Sequence, residues 1–132
     1  MWIDLDCAIV GSLKDLFDAC DDPSGIALAK DRLAPAPTHP IYNSGVIAFQ
    51  KKHLLLQEWA KQSLEKNGLF RGDQDLLSQI IAEKSISVLE LPQIYNWSIG
   101  YGQQKDVVIY HWLGEMAKSV LRNQIILDQL LP

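Results

Sequence analysis

Trp2-Ile3-Asp4-Leu5-Asp6-Cys7-Ala8-Ile9-Val10 is an apolar run interrupted by two aspartates with one leucine between them. Runs of this composition read as buried strands. Two carboxylates are costly in such a setting unless something compensates their charge. Residues 2 to 5 read as a short strand ending at the aspartates, and residues 8 to 10 continue the apolar run. On a regular strand Asp4 and Asp6 share a face. Two hard, anionic oxygen donors on one face suit Mg²⁺ or Mn²⁺. The simpler alternative is a strand end with two solvated carboxylates.

Downstream, Gly11-Ser12 breaks the run. Ser12 is placed to cap a short helix from Leu13 to Phe17 that buries Leu13, Leu16 and Phe17. Asp21-Asp22-Pro23-Ser24-Gly25 reads as a turn, and Ile26 to Ala29 as a strand. Residues 34 to 40 hold three prolines and read as a stiff extended connector. Val46 to Phe49 reads as a buried strand, with Asn43-Ser44-Gly45 as its tight polar entry. Lys52 to Lys66 reads as a helix with Leu55, Leu56, Trp59, Ala60 and Leu64 on one face. A second helix, capped by Asp73 and running to about Glu83, carries Leu76, Leu77, Ile80 and Ile81. Ser87 to Leu91 and Val107 to Tyr110 read as strands separated by an aromatic loop. A C-terminal helix is expected from about Glu115. Strands and helices interleave, which predicts an α/β domain spanning residues 1–132.

Bulk composition narrows the function classes. The 132 residues suffice for one domain with a real core, at 48% hydrophobic and 21% charged content. A net charge of −4 with no basic stripe argues against a nucleic-acid partner. No transmembrane span or signal peptide is visible, so a cytoplasmic location with free Cys7 and Cys20 is expected. The two cysteines are too far apart in sequence to suggest a shared metal site.

Three further groups can carry chemistry. His111 stands at the end of an apolar strand and can lend an imidazole to the ion held by Asp4 and Asp6. Asp73 and Asp75 flank Gln74 at a helix start, where acids also belong for helix-dipole reasons. The functional reading there is a carboxylate and an amide facing a hydroxyl-rich ligand such as a sugar. Asn43-Ser44-Gly45 allows close approach of a ligand or another backbone.

Taken in order, Ile3-Asp4-Leu5-Asp6, Tyr42-Asn43-Ser44-Gly45-Val46, Asp73-Gln74-Asp75-Leu76-Leu77, Leu91-Pro92 with Tyr95-Asn96, and His111-Trp112-Leu113-Gly114 form an ordered set. This set resembles the nucleotide-sugar glycosyltransferases of the GT-A fold, especially the family 8 branch of glycogenin-like and galactosyltransferase-like enzymes. The likeness extends to about Lys118. It implies a GT-A-like α/β sheet flanked by helices, truncated at the N-terminus. It implies Mn²⁺ or Mg²⁺ on Asp4, Asp6 and His111, with a UDP-sugar as donor. It implies Asn43, Ser44 and Gly45 beside the donor sugar and acceptor, and Asp73 and Gln74 near the reacting carbon, with Asp75 alongside. Gly114 would let the backbone approach the diphosphate. Where the family carries a lysine six residues after the histidine, this chain has Ala117, with Lys118 one step on. That step rotates a helical side chain by about 100°.

Enzymes that this sequence resembles place a β-α-β region for the nucleotide base before the Asp-x-Asp. Here Met1 directly precedes the metal motif, so the chain reads as the C-terminal portion of such an enzyme. Two readings follow. One is metal-dependent transfer of a sugar from a nucleotide-diphospho-sugar to an acceptor hydroxyl. The other is a catalytically silent remnant acting as an oligomeric binding or interaction module. Loss of the first strands would leave the Asp4 strand near an apolar sheet edge, which invites pairing and predicts a homo-oligomer.

Overall fold

The computed structural model describes residues 1–32, 40–66, 68–113, 119 and 122–123. The strands are β1 (Trp2–Ile3), β2 (Cys7–Ile9), β3 (Ile26–Lys30), β4 (Tyr42–Phe49), β5 (Leu89–Glu90), β6 (Trp97–Ser98) and β7 (Ile109–His111). The helices are α1 (Lys14–Asp18), α2 (Leu54–Glu65) and α3 (Asp73–Glu83). They build two sheets, one ordered β1-β4-β3-β5 and one ordered β2-β7-β6. In the first, β1/β4 and β3/β4 are antiparallel and β3/β5 is parallel. In the second, β2/β7 is antiparallel and β6/β7 is parallel.

The core divides along the period-two alternation of the central strands. Ile26, Leu28 and Ile47 face α2 and α3, where they meet Leu55, Leu76, Leu77, Ile80 and Ile81. Ala27, Ala29, Val46 and Ala48 face the other way, toward Leu16, Leu91, Tyr95 and Ile109. β3 and the middle of β4 are therefore buried on both faces, which explains their continuous apolar reading. Small residues on the second face let the second sheet approach closely.

The alternation breaks once, in β4. Ala27 and Leu28 pair with Ala48 and Ile47, but Lys30 pairs with Tyr42 instead of Gly45. Such an irregularity resets which face a side chain occupies. Below it, Ser44 reaches α3, while Asn43 and Gly45 lie against residues of the second sheet and its approach.

Several sequence expectations are corrected. The first strand stops at Ile3, and Asp4 to Asp6 form the turn into β2 rather than a regular strand. Asn43-Ser44-Gly45 lies inside β4, not in a turn before it. In α1, Leu16 is buried but Phe17 is 55% exposed, because five residues span little more than one turn and present a narrow buried face. In α2, Leu64 is exposed and Gln62 is buried in its place. His53 caps α2, its ring accepting from the Leu55 N–H. Gly72, not Asp73, is the residue before α3, so Asp73 occupies the first helical position. The strand expected over Ser87 to Leu91 narrows to Leu89–Glu90. The C-terminal helix, with Gly114, Ala117 and Lys118, lies outside the described residues except at Ser119 and 122–123, which are helical.

Candidate functional site

The Asp4–Asp6 turn is where the chain passes from the edge of one sheet to the edge of the other. The Asp4 N–H donates to the Gly45 carbonyl at 2.9 Å, holding the entry to β4. The Trp112 N–H donates to the Asp6 carbonyl at 2.9 Å, holding the exit to the β7 side. The Cys7 N–H closes the turn on the Asp4 carbonyl at 3.2 Å. Leu5, at the tip, is fully exposed.

This turn separates the two carboxylates. Asp4 Oδ1 accepts from the Trp2 indole N–H at 2.7 Å. Asp6 Oδ1 lies 3.4 Å from His111 Nε2. The β2/β7 register sets Cys7 directly opposite His111. The donor atoms of Asp6, Cys7 and His111 lie within 4.8 Å of one another, a candidate cation site. Cys7 was not foreseen as a neighbour of such a site, although its place beside Asp6 in sequence was the available signal. Burial, then the nearby Asp4 and Asp6 carboxylates, push its thiol up to about 12. Without a bound ion the thiol therefore stays protonated near neutrality.

His111 is 3% exposed and seated directly on Gly45. A Cβ at Gly45 would sit 2.2 Å from His111 Cε1 and 2.6 Å from Nδ1, so glycine here provides room for the ring. The ring Nδ1 lies 2.9 Å from Asn96 Oδ1. The Asn96 amide donates to Asn43 Oδ1 at 2.8 Å, which also accepts the Gly45 N–H at 2.9 Å. Asn43 and Asn96 are buried. Asn96, singled out in the sequence only as part of Tyr95-Asn96, thus contacts the imidazole directly.

A second polar group forms around the end of β3. Gln74 donates from Nε2 to Asp31 Oδ2 at 2.9 Å. Tyr101 donates its hydroxyl proton to Asp31 Oδ1 at 3.2 Å and accepts from the Arg32 N–H at 3.2 Å. The Arg32 guanidinium lies 5.9 Å from the Trp97 ring centre and 5.8 Å from that of Tyr101. Burial raises the Tyr101 phenol, opposed by the hydrogen bond from the Arg32 N–H and aided by the Asp31 carboxylate. Asp31 went unremarked in the sequence because a lone aspartate after a strand carries no spacing signal.

Asp73 sits between these groups and the helical layer. Its Oδ2 accepts from the Ser44 hydroxyl at 3.3 Å, and its carbonyl accepts from the Trp59 indole at 3.0 Å. Ser44 therefore belongs with Asp73, while Asn43 and Gly45 belong with His111. Asp75 is in the same first turn of α3.

Among solved structures, the chain is similar to the apo-form glycosyltransferase GlyE of Streptococcus pneumoniae TIGR4, with a TM-score of 0.65 and 20% identity over 86% of this chain and 33% of that one. It is similar to the galactosyltransferase LgtC, solved with donor and acceptor sugar analogs, at a TM-score of 0.58 and 16% identity over 85% of this chain and 51% of that one. Mouse xyloside xylosyltransferase 1 follows at a TM-score of 0.53 and 21% identity, over 83% of this chain and 56% of that one. No protein-family model matches, and no curated protein does. The chain spans between a third and a little over half of these structures. Its fold is that of part of a GT-A glycosyltransferase, an α/β sheet flanked by helices.

Proposed function

We propose that this chain forms the metal- and sugar-binding part of a glycosyltransferase that moves a sugar from a nucleotide-diphospho-sugar, with UDP as the expected nucleotide, to an acceptor hydroxyl. The reaction breaks the bond from the anomeric carbon to the diphosphate oxygen and forms one to the acceptor oxygen, whose proton is released. One observation carries the reading: Asp6 and His111, distant in sequence, meet at 3.4 Å at the junction of the two sheets, in a fold shared with glycosyltransferases.

The residues fit a divalent ion. The Asp6 carboxylate suits Mn²⁺ or Mg²⁺, and the buried His111 imidazole adds a nitrogen donor that favours a transition-metal ion such as Mn²⁺. Asp6 and His111 would hold the ion, with Asp4 joining if its carboxylate leaves the Trp2 indole. When bound, such an ion neutralises charge on the departing diphosphate. The chain's own groups bind and orient the sugar. Gln74 and Asp31 offer an amide and a carboxylate to sugar hydroxyls, and Asp73 lies within reach of Ser44 on the same side of β4. Asn43 and Gly45 act on the metal side. Gly114, Lys118 and Asp75 complete the binding set by resemblance.

No described helix is long and apolar enough to cross a membrane. A cytoplasmic location is proposed from the free Cys7 and Cys20. Association with a second copy is favoured by the exposed Trp2, Ile9 and Val10 on and beside the edge strands β1 and β2. The silent, oligomeric alternative rests on that same apolar edge.

Calorimetric titration with UDP-glucose and UDP-galactose tests the activity reading. Binding heat is expected with Mn²⁺, is abolished by chelator, and is lost in Asp6→Asn. Absence of binding and of sugar release at millimolar donor with Mn²⁺ would refute it. Light scattering tests the oligomer, and a monomeric mass rejects it.

A further inference from the structure

We propose that Asn43 and Asn96 are positioning residues that hold neutral His111 in its Nδ1–H form and direct the Nε2 lone pair to the Asp6 side. The inference rests on the metal reading only for its consequence, not for the relay itself.

The polarity of the chain of hydrogen bonds is fixed at one end by a group with no choice. The Gly45 backbone N–H can only donate. The Asn43 atom 2.9 Å from it must therefore be the oxygen, Oδ1. That oxygen receives the Asn96 side chain at 2.8 Å, so the Asn96 atom facing it is the NH₂ group. The remaining terminal atom of Asn96 is its oxygen, 2.9 Å from His111 Nδ1. An amide oxygen only accepts, so Nδ1 carries the proton. In the neutral ring the lone pair is then on Nε2, the atom beside Asp6 Oδ1.

Three features make this assignment rigid. Asn43, Asn96 and His111 are each 3% exposed, so water does not offer an easy substitute partner. Reversing either amide sets donor against donor or acceptor against acceptor in a buried place, which is costly. The ring packs directly on Gly45, with no room for even a methyl group between them. The result is a carboxylate oxygen and an imidazole lone pair 3.4 Å apart, a donor set suited to a divalent cation. Outer partners of this kind orient metal-binding histidines and raise their basicity.

The test uses the full chain, ¹⁵N-labelled at histidine, without metal at pH 8. Long-range ¹H–¹⁵N correlation identifies the protonated ring nitrogen, and the His111 signals are assigned by their loss in His111→Gln. The wild type is expected to show Nδ1–H. Asn96→Leu, which removes the acceptor, is expected to lose that preference, and Asn96→Gln, which keeps both the amide acceptor and the amide donor, to retain it. A wild-type ring protonated at Nε2, or Nδ1–H persisting unchanged in Asn96→Leu, overturns the proposal. If Asn96→Leu does not fold, the wild-type and Asn96→Gln spectra decide. Mn²⁺ titration followed by electron paramagnetic resonance is expected to weaken roughly 10–100-fold in Asn96→Leu, with recovery in Asn96→Gln. Nδ1–H in the wild type with no Mn²⁺ binding would leave the relay standing and remove the metal reading.

Discussion

The two polar groups of the candidate site are built on opposite principles. At the junction of the sheets, His111, Asn96 and Asn43 are buried and joined by hydrogen bonds whose direction begins at a backbone N–H. At the end of β3, Asp31, Gln74 and Tyr101 are partly buried side chains on separate loop and helix positions. The first group gains geometry from burial and loses tolerance. The second keeps its groups near water, where a ligand hydroxyl can replace a protein partner at little cost. Under the proposed function this contrast fits, since metal ligation demands fixed donors, whereas recognition of a polar ring benefits from groups able to exchange partners.

Substitutions should separate the two groups, and His111→Ala should have the largest effect. It leaves the Asn96 oxygen buried without its donor, a loss of roughly 1–3 kcal/mol beyond the lost packing. Urea unfolding should show this drop together with complete loss of Mn²⁺ binding. Stability and binding both unchanged would erase the contrast. Next, Gly45→Ala forces a methyl into the imidazole, an overpacking cost of about 1–3 kcal/mol. It should weaken Mn²⁺ binding while leaving the helical layer intact by circular dichroism.

At the other group, Gln74→Ala should change stability by less than about 0.5 kcal/mol. It should instead weaken donor-sugar binding by roughly tenfold, in keeping with one hydrogen bond. Calorimetry that finds a large stability loss instead would show that the β3 end is structural. The smallest effect concerns Cys7. Its thiol keeps its proton in the folded chain up to about 12, while an unfolded cysteine releases it near ~8.5. The unfolded state thus binds fewer protons above that pH, so stability falls as pH rises from about 8.5 toward 12. The urea midpoint should decline less steeply over this window in Cys7→Ser than in the wild type. The buried Tyr95 and the partly buried Tyr101, whose phenols are also raised, account for the remaining slope.

Much of the scaffold could be read from local patterns. Leu76, Leu77, Ile80 and Ile81 recur at helical spacing and are the buried face of α3. The apolar runs in β3 and β4 are strands buried on both faces. Leu64 is exposed because the helical period identifies an apolar stripe but not where the opposing surface ends. The Asp-x-Asp was legible as an unusual pair of charges, yet the assumption of a regular strand placed both on one face. Hydrogen bonds to Gly45 and from Trp112 make it a turn instead.

The sequence by itself determined the α/β layering, the helix faces and the candidates Asp6, Asp73, Gln74 and His111. Those features rest on short-range periodicity and on residue chemistry, which neighbours in the chain suffice to reveal. Only the tertiary structure decided that Asp4 turns to Trp2 while Asp6 meets His111, and that Asn43 and Ser44 serve opposite sides of one strand. A break in strand pairing and a crossing between two sheets produced those outcomes. Both depend on partners far away in the chain, so local pattern carries no record of them.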